Sequence, residues 1–439
     1  MPPRPTRPRR PLRRPPPPRR PPPMTPRRRG PRPLPLHLNL ALLRGMGAAL
    51  SLDPVTGAPS SPGSPSWSAA WPISKAGRLE MRRIADALVA GGHPPERFRA
   101  AVLRRLARQD RALIAGLAAY RRHPAQREVP PLPVLWQEGD TRLLDYGGAG
   151  PPLLVVPSLV NRAYVMDLAP GHSMLRALAA GGSRVLLLDW GWPDEAARGF
   201  TLTDYIAGRL ERALAAPALR PLGPLALLGY CMGGLLALAA ALRRPERLRG
   251  LALLATPWDF HAGDGPARER ALTLAALLPG IEPVLQATGT LPVDLIQTLF
   301  AGLDPWGVAA KFRAFASMDP ASERAHRFVV LEDWLNDGIP LAAPVAREAL
   351  GGWYGRNETA GLRWRVAGAV VDPAEVTVPS FVAVPGADRI VPPASALALA
   401  ARLPGATVLP VPAGHIGMAA GGRAEAVLWR PLRDWLAGL

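Results

Sequence analysis

Leu225-Ala226-Leu227-Leu228-Gly229-Tyr230-Cys231-Met232-Gly233-Gly234-Leu235-Leu236-Ala237-Leu238-Ala239-Ala240 joins a short apolar run, a residue flanked by glycines and a run of helix formers. Small neighbours let the backbone turn sharply between a strand and a helix and lift one side chain to the top of a sheet. Here that side chain is the only cysteine of the chain. A lone cysteine is, by residue type, a small buried hydrophobe. Its place in this spacing argues otherwise, because a thiol at the head of a helix faces free N–H groups and the positive end of the helix dipole, which favour the thiolate. The same turn sets the backbone N–H of Met232 where it can stabilise an oxyanion.

A thiol nucleophile needs a base and a group that orients the base. Both follow downstream. Pro379-Ser380-Phe381-Val382-Ala383-Val384-Pro385-Gly386-Ala387-Asp388 reads as a strand ending in a turn that carries a carboxylate. Thr407-Val408-Leu409-Pro410-Val411-Pro412-Ala413-Gly414-His415 reads as a further strand whose loop delivers a histidine. An isolated Asp after a strand is usually a turn former or helix cap. Together, Cys231, Asp388 and His415 stand in the chain order nucleophile, acid, histidine of the α/β-hydrolase fold. His37, His93 and His123 precede the first expected core strand, His326 lies in a charged stretch, and His172 and His261 precede the acid. Asp264 and Asp304 close no apolar strand and are weaker acids for the triad.

Working outward, Leu153–Val156, Val185–Leu188, Leu225–Leu228, Leu251–Leu254, Phe381–Val384 and Val408–Val411 give six candidate buried strands alternating with helical stretches. That pattern predicts an α/β architecture, a mostly parallel sheet with helices on both faces. The stretch 261–367, with Trp306, Trp334 and Trp353, interrupts the alternation and is expected to form a helical cap over the site. Residues 131–439 form the catalytic domain, and 73–130 a helical segment with Leu79, Met81, Ile84, Leu88, Val102, Leu103, Leu106, Leu113, Ile114 and Leu117 at helix spacing. Its two amphipathic helices are expected to dock on the catalytic core.

The formal charge of +19 is concentrated at one end, since residues 1–34 hold 12 arginines and no acid, and subtracting them leaves +7 for the other 405 residues. Residues 1–72, rich in Pro and Arg, are expected to be disordered. The arm could hold polyanions or an anionic surface nonspecifically. The favoured reading is GC-rich codon usage, with translation beginning at Met24 or Met46, so no specific nucleic acid is expected as a partner. Pro221–Leu242 carries no charge, but prolines and the glycine turn break it as a membrane span. The Arg-led stretch Leu34–Leu42 is interrupted by Pro35 and His37 and is not read as a signal peptide. A single cysteine forms no intrachain disulfide, so the cytoplasm is the expected compartment. No His or acidic cluster shows ligand spacing, so no metal is expected.

The chain resembles the catalytic subunit of the polyhydroxyalkanoate synthases, most nearly the two-component class III type, from about Val134 to the C-terminus. The likeness rests on Leu159-Val160-Asn161-Arg162, Asp189-Trp190-Gly191-Trp192-Pro193-Asp194, Leu202-Thr203-Asp204-Tyr205-Ile206, Gly229 to Gly234, Thr256-Pro257-Trp258-Asp259-Phe260, Asp388-Arg389-Ile390-Val391-Pro392-Pro393 and Gly414-His415-Ile416-Gly417-Met418, in that order. The resemblance implies that Cys231 is the acylated nucleophile, His415 its general base and Asp388 the supporting carboxylate. It implies an oxyanion hole formed by the N–H groups of Met232 and Val160. The implied substrate is an (R)-3-hydroxyacyl-CoA and the implied product a polyester, with no cofactor beyond the CoA thioester itself. Granule association, a second synthase subunit and homo-oligomers are implied as well. Two positions depart from the family's habit: Arg389 stands where His is common, and Ser158 where Pro or another small residue is common. The residue types agree independently, since a thiolate exchanges with a thioester at little free-energy cost. With water as acceptor the same triad would make a thiol esterase or depolymerase. A granule- or polyanion-binding protein with an inactive catalytic domain is the reading from another class.

Overall fold

The computed structural model describes residues 28–51, 74–263 and 265–439. Asp264 and most of the Pro/Arg-rich segment lie outside the described residues. Eight strands form the main sheet: β1 Val134–Glu138, β2 Thr141–Asp145, β3 Pro152–Val156, β4 Arg184–Asp189, β5 Leu225–Tyr230, β6 Leu248–Leu254, β7 Ser380–Pro385 and β8 Thr407–Val411. Their spatial order is β1-β2-β4-β3-β5-β6-β7-β8, with β3 to β8 joined by parallel pairings and the β1–β2 hairpin added antiparallel at one edge.

Period-two alternation sorts the strands' side chains between two cores. Leu154, Val156, Leu186, Leu188 and Leu227 face one core, and Leu153, Val155, Val185, Leu187 and Leu228 face the other. Being covered on both faces, the central strands read as unbroken apolar runs. Two departures from expectation have physical causes. β1 and β2 were not among the expected strands because each mixes charged and apolar residues at a half-exposed edge. β8 is expected to be buried, yet only Val411 of its five residues is buried. It is the other edge strand, where Pro410 costs no ladder bond.

Helix α1 (Leu34–Ser51) lies inside the segment 1–72 expected to be disordered, which corrects that expectation for these residues. α2 (Lys75–Ala90) has no buried residue, whereas α3 (Pro95–Arg122) buries Leu113, Gly116, Leu117 and Tyr120 in its second half. These side chains pack with Ala309, Phe312, Phe315, Ala325 and Val329, which belong to the insertion between β6 and β7. The docking partner of α3, joined by Ala41 of α1, is therefore the insertion and not the sheet, and α2 buries nothing against either. α3 approaches so closely that a Cβ on Gly116 would stand 1.9 Å from the Phe312 carbonyl oxygen. Backbone cannot yield as a flexible side chain can, so Gly116→Ala is expected to lower stability by about 1–3 kcal/mol in urea unfolding.

Arg28 forks onto Asp333, at 2.7 Å and 2.8 Å, and also donates to the His123 and Ala125 carbonyls. Arg32 reaches Asp294 at 2.8 Å and Asn336. Tyr120 donates to the same Asp333 carboxylate. A chain beginning at Met46 loses both arginines. Such a truncation is expected to lower the thermal midpoint measurably, by about 1–3 kcal/mol of stability, because charge-assisted bonds of a half-buried carboxylate are lost. A chain beginning at Met24 should keep them.

α4 (Met232–Arg243) follows β5 and is almost wholly buried. The uncharged run Pro221–Leu242 thus divides into β5 and α4. Among the described residues no single helix is long and apolar enough to cross a membrane. The insertion carries α5 (Gly265–Ala276), α6 (Leu278–Thr288), α7 (Val293–Ala301), α8 (Gly307–Phe315) and α9 (Glu323–Asn336).

Candidate active site

Cys231 sits between β5 and α4 with φ 57° and ψ −129°. A non-glycine residue at positive φ is strained, and such strain persists only where surrounding structure fixes it. The backbone supplies that fixation: Cys231 N–H donates to Leu254 O at 2.9 Å, and Gly234 N–H donates to Cys231 O at 2.9 Å. A Cβ on Gly233 would meet Val156 O at 2.2 Å and the Pro157 carbonyl at 2.5 Å, so the elbow lies directly against the end of β3. Met232 opens α4, and its N–H is among the first-turn donors that have no intrahelical acceptor.

Asp388 and His415 arrive from the loops after β7 and β8, which are neighbours in the sheet. The ends of adjacent parallel strands bring together two residues 27 apart in sequence. His415 Nδ1 donates to Asp388 Oδ2 at 2.6 Å, which leaves Nε2 as the uncommitted ring nitrogen, and Cys231 lies near enough for its charge to act on the imidazole. Asp388 Oδ1 accepts the N–H groups of Ile390 at 2.8 Å and Val391 at 2.9 Å, so both carboxylate oxygens are held. Burial acts to lower the His415 pKa. The charge on Cys231 and the hydrogen bond with Asp388 outweigh it and raise the value to about 10.

The expected residues Cys231, Asp388 and His415 are therefore one cluster. Val160 lies at the same cavity, but its N–H donates to Ser158 Oγ at 3.0 Å. Arg389 turns away from the triad to pair with Asp304 of the insertion at 2.9 Å. Asp304, the weaker acid from the sequence, is thus a partner of the acid's neighbour. His172, His261 and His123 each place Nε2 against a backbone carbonyl, of Ala420, Tyr354 and Pro320 respectively, and none of them is bonded to Asp388.

Two supporting residues escaped the sequence reading. Tyr230 donates its hydroxyl to His415 O at 3.1 Å and lays its ring 5.2 Å from the imidazole, bracing the histidine from below. Its place beside Cys231 in the elbow was the only signal. Tyr354 comes from the insertion, and its phenol pKa is raised by burial and then by the charges of Cys231 and Asp388. No local motif marks it, because only the folding of the insertion over the sheet brings it there.

Above Cys231 is a cavity of about 180 Å³, walled by the insertion through Leu274, Ile296, Phe300, Trp353 and Tyr354. Its lining is overwhelmingly apolar, with the arginines Arg270 and Arg389 among its few charged groups. An apolar chamber with a few convergent polar groups is the usual form of a small-molecule site. Among the described residues no group of three or more His, Cys, Asp and Glu could hold a metal ion.

A strained elbow on a mostly parallel sheet, with acid and histidine in that chain order, defines an enzyme of the α/β-hydrolase fold that carries cysteine at the elbow. A family model described as alpha/beta hydrolase fold matches residues 151–281. The chain belongs to the poly(3-hydroxyalkanoate) polymerase family, enzymes of the acyltransferase type. It is 30% identical over 291 residues to the poly(3-hydroxyalkanoate) polymerase subunit PhaC of Allochromatium vinosum, covering 65% of this chain and 80% of that one. The subunit of the same name from Synechocystis sp. is 30% identical over 292 residues, covering 65% and 77%. That of Haloferax mediterranei is 30% identical over 317 residues, covering 70% and 64%. A solved thioesterase domain from the curacin biosynthetic pathway aligns at 15% identity with a TM-score of 0.40, over 71% of this chain and 100% of that one. The sheet order and the elbow, not that superposition, carry the fold assignment.

Proposed function

We propose that the chain polymerises (R)-3-hydroxyacyl-CoA into polyester through a covalent acyl-Cys231 intermediate. The single observation that carries this reading is the Asp388–His415 hydrogen bond set beside Cys231 at the floor of an apolar chamber. Cys231 Sγ attacks the thioester carbonyl, the carbon–sulfur bond to CoA breaks, and His415 gives its proton to the departing thiolate. The Met232 N–H stabilises the oxyanion on the way.

Acylation then prepares the second step. A thioester at Cys231 carries no charge, so the principal influence raising the His415 pKa disappears while burial, which lowers it, remains. The imidazole becomes a neutral base when a hydroxyl must lose its proton. That hydroxyl, of a second 3-hydroxyacyl unit or a growing chain, attacks the acyl carbon, the ester forms, and the Cys231 sulfur leaves as thiolate. Asp388 supports proton removal by holding Nδ1–H and stabilising the imidazolium. A largely apolar chamber favours an acyl hydroxyl over water as acceptor. A partner subunit, self-association and attachment to a polyester granule belong to the same proposal and are read by sedimentation with and without polymer.

The test is CoA release from (R)-3-hydroxybutyryl-CoA with the product sized as well as counted. High-mass polyester in step with CoA release supports the synthase. Release of CoA with free 3-hydroxy acid alone would replace it with a thiol esterase.

A further inference from the structure

We propose that the Ser158 hydroxyl donates a hydrogen bond to the substrate's thioester oxygen as it becomes an oxyanion on Cys231, completing with the Met232 N–H the oxyanion hole of this chain. The inference rests on Cys231 being the acylated nucleophile.

Ser158 stands two residues beyond β3, and the loop that carries it is pinned. Trp190 Nε1 donates to Pro157 O at 3.0 Å, and the absent Cβ of Gly233 lets Val156 O and the Pro157 carbonyl lie against the first turn of α4. The residue is buried and lines the same chamber as Cys231 and Met232. Its hydrogen bonding is half used. The Oγ atom accepts the Val160 N–H at 3.0 Å, and among the described residues its own O–H has no acceptor. The amide that a simple two-amide oxyanion hole would use is therefore engaged by the very hydroxyl that faces the chamber.

A hydroxyl that accepts a bond from an amide is polarised to donate more strongly, because consecutive hydrogen bonds reinforce each other. Ser158 thus passes the dipole of the Val160 N–H on to a donor that can rotate about its C–O bond. No covalent change at Ser158 is involved. In the ground state the thioester oxygen is a weak acceptor, and in the tetrahedral state it carries charge, so the bond strengthens where it speeds the reaction. The surrounding apolar wall keeps the donor from being satisfied by bulk solvent.

The competing role is purely local: Ser158 would merely close its own turn onto Val160. The two roles differ in sign. Removing a turn-closing hydroxyl frees the Val160 N–H for the oxyanion and leaves acylation equal or faster, whereas removing the donor slows it. The experiment is single-turnover acylation of Cys231 by (R)-3-hydroxybutyryl-CoA, followed by intact-mass measurement, in wild type, Ser158→Ala and Ser158→Thr. Alkylation of Cys231 by iodoacetamide, which passes through no oxyanion, is measured alongside.

Ser158→Ala is expected to slow acylation about 10²-fold, with the alkylation rate and thermal midpoint unchanged and Ser158→Thr recovering most of the loss. Equal or faster acylation in Ser158→Ala overturns the proposal, as does a parallel loss of alkylation, which would mean that the thiol itself had been disturbed. If wild-type protein alkylates at Cys231 but takes no acyl mass there, the acyl-cysteine reading falls, and this inference with it.

Discussion

Cys231→Ala is expected to release CoA at least about 10⁵-fold more slowly than wild type and to yield no polymer, since members of a catalytic unit are not replaceable by what remains around them. The protein should still fold. The side chain is only partly buried at the chamber floor, and the elbow is held by the Cys231 N–H to Leu254 and the Gly234 N–H to the Cys231 carbonyl, both of them backbone. Loss of one small sulfur at a partly open position leaves little cavity to penalise. Circular dichroism and the thermal midpoint should therefore stay near wild type while turnover vanishes. CoA release that survived in Cys231→Ala would transfer the chemistry to another group and sink the acyl-cysteine mechanism. Loss of the sulfur also removes a charge that raises the His415 pKa, so the histidine of this variant should titrate below the wild-type value of about 10. An NMR titration of the imidazole reads that shift directly.

Asp388→Asn is the second large effect, an expected loss of about 10²–10⁴ in turnover by analogy with other triads stripped of their carboxylate. An amide at this place can still accept the Ile390 and Val391 N–H groups through Oδ1, so the loop should survive. What fails is the other side. With Oδ1 so engaged, the atom facing His415 Nδ1 would be the NH₂ group, which forces the imidazole into the wrong tautomer and removes the charge that stabilises the imidazolium. The pH dependence has a definite sign. A histidine whose folded-state pKa is raised to about 10 adds stability fully present below its unfolded value of about 6.5 and lost as pH rises towards 10. Removing the carboxylate takes away part of what raises it, so Asp388→Asn should lose stability relative to wild type near neutrality and show a smaller decline between pH 7 and 10. Urea unfolding at pH 6, 7, 8 and 9 measures the difference. A wild-type stability that climbed with pH over that range, with the variant parallel to it, would contradict the charged-histidine account.

Much of the site was legible because it depends on local covalent spacing. Gly229 to Gly234 must turn to pass from strand to helix, and the turn exposes the third residue after the last leucine of the apolar run, Cys231. Asp388 and His415 were found by the same logic, each closing an apolar run at a loop. The edge hairpin of β1 and β2 was missed, since strands exposed to solvent need not be apolar. The valines and leucine of β8 read as a core strand, and only its place at the edge of the sheet exposes them. α2 and α3 have similar amphipathic spacing, but which of them packs depends on whether a partner surface is presented. Phe312 and Phe315 of the insertion serve α3, and no comparable cluster buries α2.

Sequence alone determined the sheet-and-helix alternation, the elbow, the placing of Cys231, Asp388 and His415 after apolar runs in that order, and the family resemblance, because each is written in short stretches whose backbone geometry is set by neighbours. The tertiary structure alone decided what surrounds them. It put Asp388 and His415, beyond the ends of adjacent parallel strands, within 2.6 Å of each other, set Tyr230 under the histidine, and folded Trp353 and Tyr354 of the insertion over the thiol. It also engaged the Val160 N–H with Ser158 and the Arg389 side chain with Asp304. These are contacts between segments far apart in the chain, and their energies depend on burial and mutual distance, which no local pattern encodes.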